Sequence, residues 1–205
     1  MLRKISTLIL LIVATTHLAC AQNADIHWLR CINQPVNVPL DNAMKFTSNS
    51  VTPMMIGIPV GLFVYEHFRK DGDIDKPFVI CISLVANEVV TFGLKTAVAR
   101  PRPFVTYPDI IKKGKAGSQS FPSGHTSVAF SLATSLTLEY PKWYVIAPAY
   151  AWACTVGYSR MRLGVHYPSD VACGALIGAG SAWLGWWLNR KLTANHLTKH
   201  SVDHW

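Results

Sequence analysis

The chain has 205 residues, 50% of them hydrophobic and 15% charged, at a mean hydropathy of +0.24, which excludes a disordered tail and a disulfide-stapled miniprotein. Its 19 Lys and Arg against 11 Asp and Glu give a net charge of +8, suited to a nucleic acid, an anionic membrane or a phosphorylated ligand. These cations are dispersed among apolar runs and form no basic face or arm, so no nucleic-acid partner is expected.

Residues 1–21 read as an export signal. Arg3 and Lys4 precede the apolar run Ile5 to Val13, and the ending Ala19-Cys20-Ala21 suits cleavage before Gln22. Cys20 also permits a lipoprotein reading, which His17 disfavours because a bulky aliphatic residue is wanted there. If retained, the segment would be a short anchor. Residues 22–50 mix apolar and polar side chains around Pro35 and Pro39. They predict two short helices, Asp25 to Asn33 and Asp41 to Ser50, of the amphipathic kind that lies flat on a membrane surface.

Five apolar segments follow: Val51 to Phe68, Pro77 to Val98, His125 to Leu138, Trp143 to Tyr158 and Val171 to Leu188. Several fall short of the ~20 residues that cross a bilayer core, and Glu66, Glu88 and Lys95 interrupt or edge them. Membrane-spanning and buried-core readings therefore compete. The last segment decides for the membrane. Ser181 is its only polar side chain, Gly174, Gly178 and Gly185 allow close helix packing, and Trp183, Trp186 and Trp187 suit an interfacial belt. The expected fold is all-α: a bundle of about five membrane-spanning helices over residues 51–190, or six with the signal retained. The 22–50 segment precedes it and a polar tail over 191–205 follows.

Lys and Arg are almost evenly shared between the two sets of loops, so they do not orient the chain. The export signal does: it sends residue 22 outward, and the loops after the second and fourth spans then face outward too. That places the protein in a bacterial cytoplasmic membrane with those loops on the periplasmic or outer side. Five cysteines show no paired spacing and no C-x-x-C, so neither a disulfide framework nor a metal site is expected from them.

Three polar clusters carry the chemistry. In the first, Pro101 biases Arg100 away from helix, so a helix should end near Ala99 with Lys95 in its last turn and Arg102 just beyond. Two cations then meet at a helix end whose dipole favours positive charge. In the second, Phe121-Pro122-Ser123-Gly124-His125-Thr126-Ser127 opens an apolar run. Ser123 suits an N-cap, Gly124 lets a ligand approach the backbone, and the first-turn amides form an anion site beside His125, a proton donor. In the third, Tyr158 to Asp170, Pro168 suits the first turn of the last helix, leaving His166 just outside it and Asp170 inside. A carboxylate there can reach one imidazole nitrogen and leave the other free to attack. Arg160 offers a planar fork to phosphate oxygens.

Taken together, Lys95 with six residues to Arg102-Pro103, then Pro122-Ser123-Gly124-His125, then Ser159-Arg160 with five residues to His166 and three to Asp170, form a recognisable set. It resembles the three-part signature of the type 2 phosphatidic acid phosphatase superfamily. The resemblance covers Lys95 to about Leu188, and the N-terminal hundred residues only by apolar pattern. It implies that His166 is the nucleophile and forms a phosphohistidine, that Asp170 orients it, and that His125 protonates the leaving oxygen. Lys95, Arg102, Arg160 and the Ser123–Gly124 region would hold the phosphoryl oxygens. No metal and no other cofactor is implied, and the substrate would be a phosphorylated membrane lipid. Physical logic agrees, because phosphoryl transfer needs charge neutralisation and in-line positioning, which these cations and helix amides supply.

Soluble exported acid phosphatases and vanadium-dependent haloperoxidases share this superfamily. Apolar spans argue against the first, and the short chain leaves little room for the second. A non-catalytic phospholipid-binding or transport protein is the alternative of another class; its mark would be a missing nucleophile, and His166 is present. The substrate candidates are lipid A, undecaprenyl diphosphate, phosphatidylglycerol phosphate and phosphatidic acid. Lys112-Lys113-Gly114-Lys115 and Arg162 are expected to meet a large anionic headgroup, which favours lipid A or a diphosphate. Two features stand apart. Glu88 shares a helix face with Lys95 but sits about two turns away, and His196, His200 and His204 recur every fourth residue in the tail, where an ordinary polar tail explains them more simply than metal binding.

Overall fold

The computed structural model describes residues 23–117 and 119–202, with side chains as far as 192; the expected export signal lies outside the described residues. The described chain is helical and contains no strand. In order it forms α1 (23–32), α2 (Val38–Asn49), α3 (Val51–Phe68), α4 (Asp75–Val98), the single turn α5 (Pro103–Thr106), α6 (Gly124–Glu139), α7 (Trp143–Arg162) and α8 (Pro168–Val202). The expected tail over 191–205 begins inside α8, whose backbone continues as helix to Val202.

Short connections at 69–74, 140–142 and 163–167 make α3/α4, α6/α7 and α7/α8 antiparallel neighbours. α6 lies in the middle and touches α3, α4, α7 and α8. Its Leu132 and Ala133 are fully buried, and so are its hydroxyl residues Thr126, Ser127 and Ser131. The small residues of α8 permit this packing. A Cβ on Gly174 would stand 2.7 Å from the Ser123 carbonyl oxygen, and one on Gly178 would overlap the Ser127 carbonyl. A Cβ on Gly185 would overlap the Ser83 hydroxyl of α4. Side chains as small as these let membrane helices approach to backbone contact.

By length and composition, three helices among the described residues can cross a membrane: Val51–Phe68, Asp75–Thr106 and Pro168–Leu192, at mean hydropathies of 1.2, 1.8 and 1.4. The sequence pattern suggests five. α6, with 16 residues, is only about 24 Å long and carries its hydroxyls inward, where neighbouring helices shield them. α7 is interrupted by Pro148 and ends in Arg160 and Arg162. The outer faces of the three long helices expose Val60, Val64, Val85, Val89, Phe92, Leu176 and Trp183. An apolar belt of that extent is a surface for lipid, and it removes the soluble-domain reading.

At one end of the bundle α1 and α2 cap the loops that hold the polar clusters. Asn37 starts α2 by accepting the Leu40 N–H at 3.1 Å, and Val38-Pro39 supply its first turn. Trp28, Val38 and Phe46 are exposed, as a surface-lying segment requires. What anchors the pair is polar, however. Asn33 donates to the Ile111 and Arg162 carbonyls at 3.0 Å each and accepts the Ile111 N–H at 2.8 Å, while Asp41 accepts from Arg162 at 2.9 Å.

Candidate active site

Lys95, Arg102, Gly124, His125, Arg160 and His166 line one cavity of about 1040 Å³ at the end of the bundle where α4 and α7 finish and α6 and α8 begin. Lys45 and Ser48 of α2 and the strap 112–117 complete its wall. Ser123 and Asp170 lie directly behind, both fully buried. Among the described residues no carboxylate lines the cavity.

The chain reaches this geometry through local breaks. α4 stops at Ala99, which turns left-handed at φ 48° while its N–H still bonds the Lys95 carbonyl at 3.0 Å. That conformation costs a non-glycine residue roughly 1–2 kcal/mol, and Pro101 blocks the alternative of continuing the helix past Arg100. α7 closes on Leu163, and Gly164 follows at φ 71°, so close to the Ile111 carbonyl that any Cβ would overlap it. Pro168 then opens α8. His166 is thereby fixed between two helices, 2% exposed.

Arg102 donates to His166 Nε2 at 3.2 Å and to the Val165 carbonyl at 2.7 Å. A guanidinium has no acceptor, so Nε2 carries the lone pair and the ring proton sits on Nδ1. Nδ1 faces Asp170 Oδ2 at 3.5 Å and has no closer partner. Burial, reinforced by Arg160 and Arg102, pushes the His166 pKa down to about 3 against the opposing pull of Asp170. The ring is therefore neutral at ordinary pH. Asp170 is itself held on three sides: Oδ1 accepts Arg100 at 2.7 Å, and Oδ2 accepts the Tyr167 N–H at 3.0 Å and the Ser120 hydroxyl.

Arg160, 4% exposed, donates to the Ser48 hydroxyl at 2.5 Å and to the Lys115 carbonyl at 3.3 Å, and its Nε has no partner. Lys95 binds the Gln119 and Pro122 carbonyls at 3.0 and 2.8 Å, tying α4 to the start of α6. A Cβ on Gly124 would make only ordinary contact with Lys95 Cε at 3.8 Å, and the glycine forms part of the cavity wall. Ser123 occupies the N-cap position of α6 but does not cap with its side chain; its hydroxyl pairs with Thr126 Oγ1 at 2.8 Å. The first-turn amides, which have no intrahelical partner, are left to an incoming anion.

One sequence expectation is corrected. Arg162 does not meet a headgroup. It is buried, 3% exposed, and spends its donors on Asp41 and on the Ile32 and Pro35 carbonyls at 3.1 and 3.0 Å. Lys113 likewise turns to Asp41 at 3.5 Å and to the Gln34 carbonyl, and burial lowers its pKa. Lys112 lies over the Phe104 ring at 4.6 Å. Glu88 is exposed on α4 and does not line the cavity. Sequence reasoning missed Ser120, Ser48, Lys45, Asp25 and the part played by Arg100; only Arg100, two residues before Arg102, carried a signal. No cluster of three or more His, Cys, Asp or Glu suited to a metal ion occurs among the described residues.

The cavity thus brings a buried neutral histidine, backed by a fixed carboxylate, together with Lys95, Arg102 and Arg160. The chain belongs to the PAP2 superfamily, whose family model matches residues 76–194. It is 35% identical over 162 residues to an undecaprenyl-diphosphatase of Sulfolobus acidocaldarius, covering 78% of this chain and 76% of that protein. It is 33% identical over 128 residues to a lipid A 4'-phosphatase of Bacteroides thetaiotaomicron, covering 57% of this chain and 56% of the relative's length. Among solved structures it matches a transmembrane PAP2-type phosphatidylglycerolphosphate phosphatase from Bacillus subtilis at a TM-score of 0.70, with 26% identity over 89% of this chain and 92% of that one. The fold is thus that of a membrane phosphatase of this superfamily.

Proposed function

We propose that the protein removes a terminal phosphate from a phosphorylated membrane lipid, without a metal, through a phosphohistidine. The single observation that carries this reading is the neutral His166 ring in the cavity wall, with Nε2 toward Arg102 and Nδ1 toward Asp170, where the described lining residues include cations and no carboxylate. In the first step Arg102 turns from Nε2 to the phosphoryl oxygens, the freed Nε2 lone pair attacks phosphorus, the bond to the lipid oxygen breaks, and His125, doubly protonated beside the bound anionic substrate, donates one ring proton to that oxygen. The positive charge left on the ring is balanced by Asp170. In the second step water attacks phosphorus, His125 takes the water proton, and the P–N bond breaks to release inorganic phosphate. Lys95, Arg102, Arg160 and the amides at the start of α6 bind the equatorial oxygens throughout.

Lys45, Lys112 and Lys115 add cations beyond those one phosphoryl group uses, which favours lipid A or a lipid diphosphate among the candidate substrates. The undecaprenyl-diphosphatase and lipid A phosphatase relatives support the same choice. We further propose that the site faces the outer side of the cytoplasmic membrane and that α3, α4, α6, α7 and α8 all span it. Phosphate release by purified protein from lipid A, undecaprenyl diphosphate, phosphatidylglycerol phosphate and phosphatidic acid, without added metal, tests the reading. Release inhibited by vanadate and indifferent to chelators is expected. Activity lost in EDTA and restored by a divalent ion would replace it with metal catalysis.

A further inference from the structure

Behind His166, on the side away from the cavity, a chain of ionised groups continues past Asp170 into the N-terminal helix. Arg100 Nη1 donates to Asp170 Oδ1 at 2.7 Å and to the Ser169 hydroxyl at 2.8 Å, and its Nη2 donates to Asp25 Oδ2 at 2.8 Å. The guanidinium lies over the Tyr167 ring, 3.8 Å from its centroid. Asp25, 7% exposed, also accepts the Ser169 N–H at 2.8 Å and the Ser169 hydroxyl at 2.5 Å. Neither Arg100 nor Asp25 lines the cavity, so phosphoryl transfer as proposed makes no direct use of them.

We propose that Arg100 and Asp25 are positioning residues for the reaction, holding Asp170 where its carboxylate meets the Nδ1–H of His166. The proposal rests on the reading of His166 as the nucleophile. A carboxylate on a two-bond stem rotates freely unless both oxygens are tied. Arg100 ties Oδ1, and the Tyr167 N–H and Ser120 tie Oδ2, which holds Oδ2 at 3.5 Å from Nδ1. Arg100 in turn is a flexible side chain shared between two carboxylates, and Asp25 fixes its far nitrogen. As the ring becomes a charged phosphohistidine, the alternation Asp25, Arg100, Asp170, His166 places opposite charges next to one another along the whole chain. On this reading α1 is a working part of the active site, although it lies about 140 residues away in sequence.

The test is a split of kcat from KM on whichever lipid of the panel releases most phosphate. Arg100→Ala is expected to lower kcat roughly 10- to 100-fold, the worth of a charge-assisted hydrogen bond, with KM within about twofold. Asp25→Ala should lower kcat less and add no further loss in the Arg100→Ala background, since it acts through Arg100. Guanidinium at a non-denaturing concentration should restore part of the Arg100→Ala rate, which a purely structural defect would not allow. Arg100→Lys and Asp25→Asn keep the packing and serve if the alanine variants melt early; they too must lower kcat at constant KM. Unchanged kcat, a rise in KM alone, or losses that multiply in the double variant would each overturn the relay. His166→Ala, run in parallel, separates the readings. Activity there removes the nucleophile itself, whereas an inactive His166→Ala beside a full-rate Arg100→Ala removes only the relay.

Discussion

Where α3 turns into α4, the bundle buries the carboxylate of Glu66, 2% exposed. It accepts the Asp73 N–H at 3.0 Å and the Tyr140 hydroxyl at 2.9 Å, with Arg69 3.7 Å away. At the opposite end Arg102, Arg160, Arg162 and His166 are buried just as deeply. The difference lies in what is left over. Both Glu66 oxygens are satisfied, and so is every group on the Arg162–Asp41 pair. Arg160 Nε has no hydrogen-bond partner, its side chain lines a cavity, and His166 beside it meets Asp170 only at 3.5 Å. Buried charge is expensive, and a saturated buried charge fastens elements together. One kept incompletely paired beside open volume is held for a ligand.

This contrast can be broken by experiment. The largest effect is expected from His166→Ala, which should bring phosphate release below detection, with His125→Ala lowering it about 10²- to 10⁴-fold. Melting temperature in detergent should barely move for either. Next come two arginines only two positions apart. Arg160→Ala should cut kcat/KM about 100-fold with little loss of stability, whereas Arg162→Ala, which strands Asp41, should cost roughly 2–3 kcal/mol of stability. If Arg162→Ala were the more damaging to catalysis at a temperature where it is folded, the contrast would fail.

Glu66→Gln sharpens the point from the other end: thermal stability should fall while kcat and KM per folded molecule stay constant. A pH series separates the outer clamp from the site. The largest influence on the Asp41 carboxyl is burial, which raises its pKa, but the Asn37 N–H, Arg162 and Lys113 together hold it below the ordinary carboxylate value. A group whose folded pKa is depressed contributes stability above its unfolded value and loses it as pH falls. Melting temperature should therefore drop below about pH 4, and Asp41→Asn should lose that part of the drop. The smallest effect belongs to Lys115→Ala. Its backbone carbonyl still serves Arg160, so only KM should rise, by a few-fold, and more at low salt than at high.

Much of the fold was legible because it depends on local signals. Val51 to Phe68 matches α3 at both ends, and the α4 stop near Ala99 follows from Arg100-Pro101. α7 runs four residues past the apolar segment, to Arg162, because its last polar turn is buried against α1, α2 and the 107–117 loop, which hydropathy alone cannot reveal. The residues brought to the cavity were legible because short motifs set their spacing. Arg162 was misjudged for the complementary reason. Side by side in sequence, Arg160 and Arg162 look alike, and only the approach of Asp41 from 121 positions away distinguishes them. Asp25, Ser120 and Arg100 belong to the same class: their partners lie 50 to 144 positions off, and no period in the sequence announces such pairs.

The bond from Asp25 to the first turn of α8 also bears on synthesis. In the proposed relay the centre draws on residue 25 and residue 170 at once, so it cannot assemble before residue 170 has been made. A nascent product that stops short of residue 166 has the cations of the earlier loops but lacks His166, Asp170 and the helix that seats them. By the proposed mechanism such a product is silent toward the lipids around it until the start of α8 has met α1 through the Asp25–Ser169 bonds.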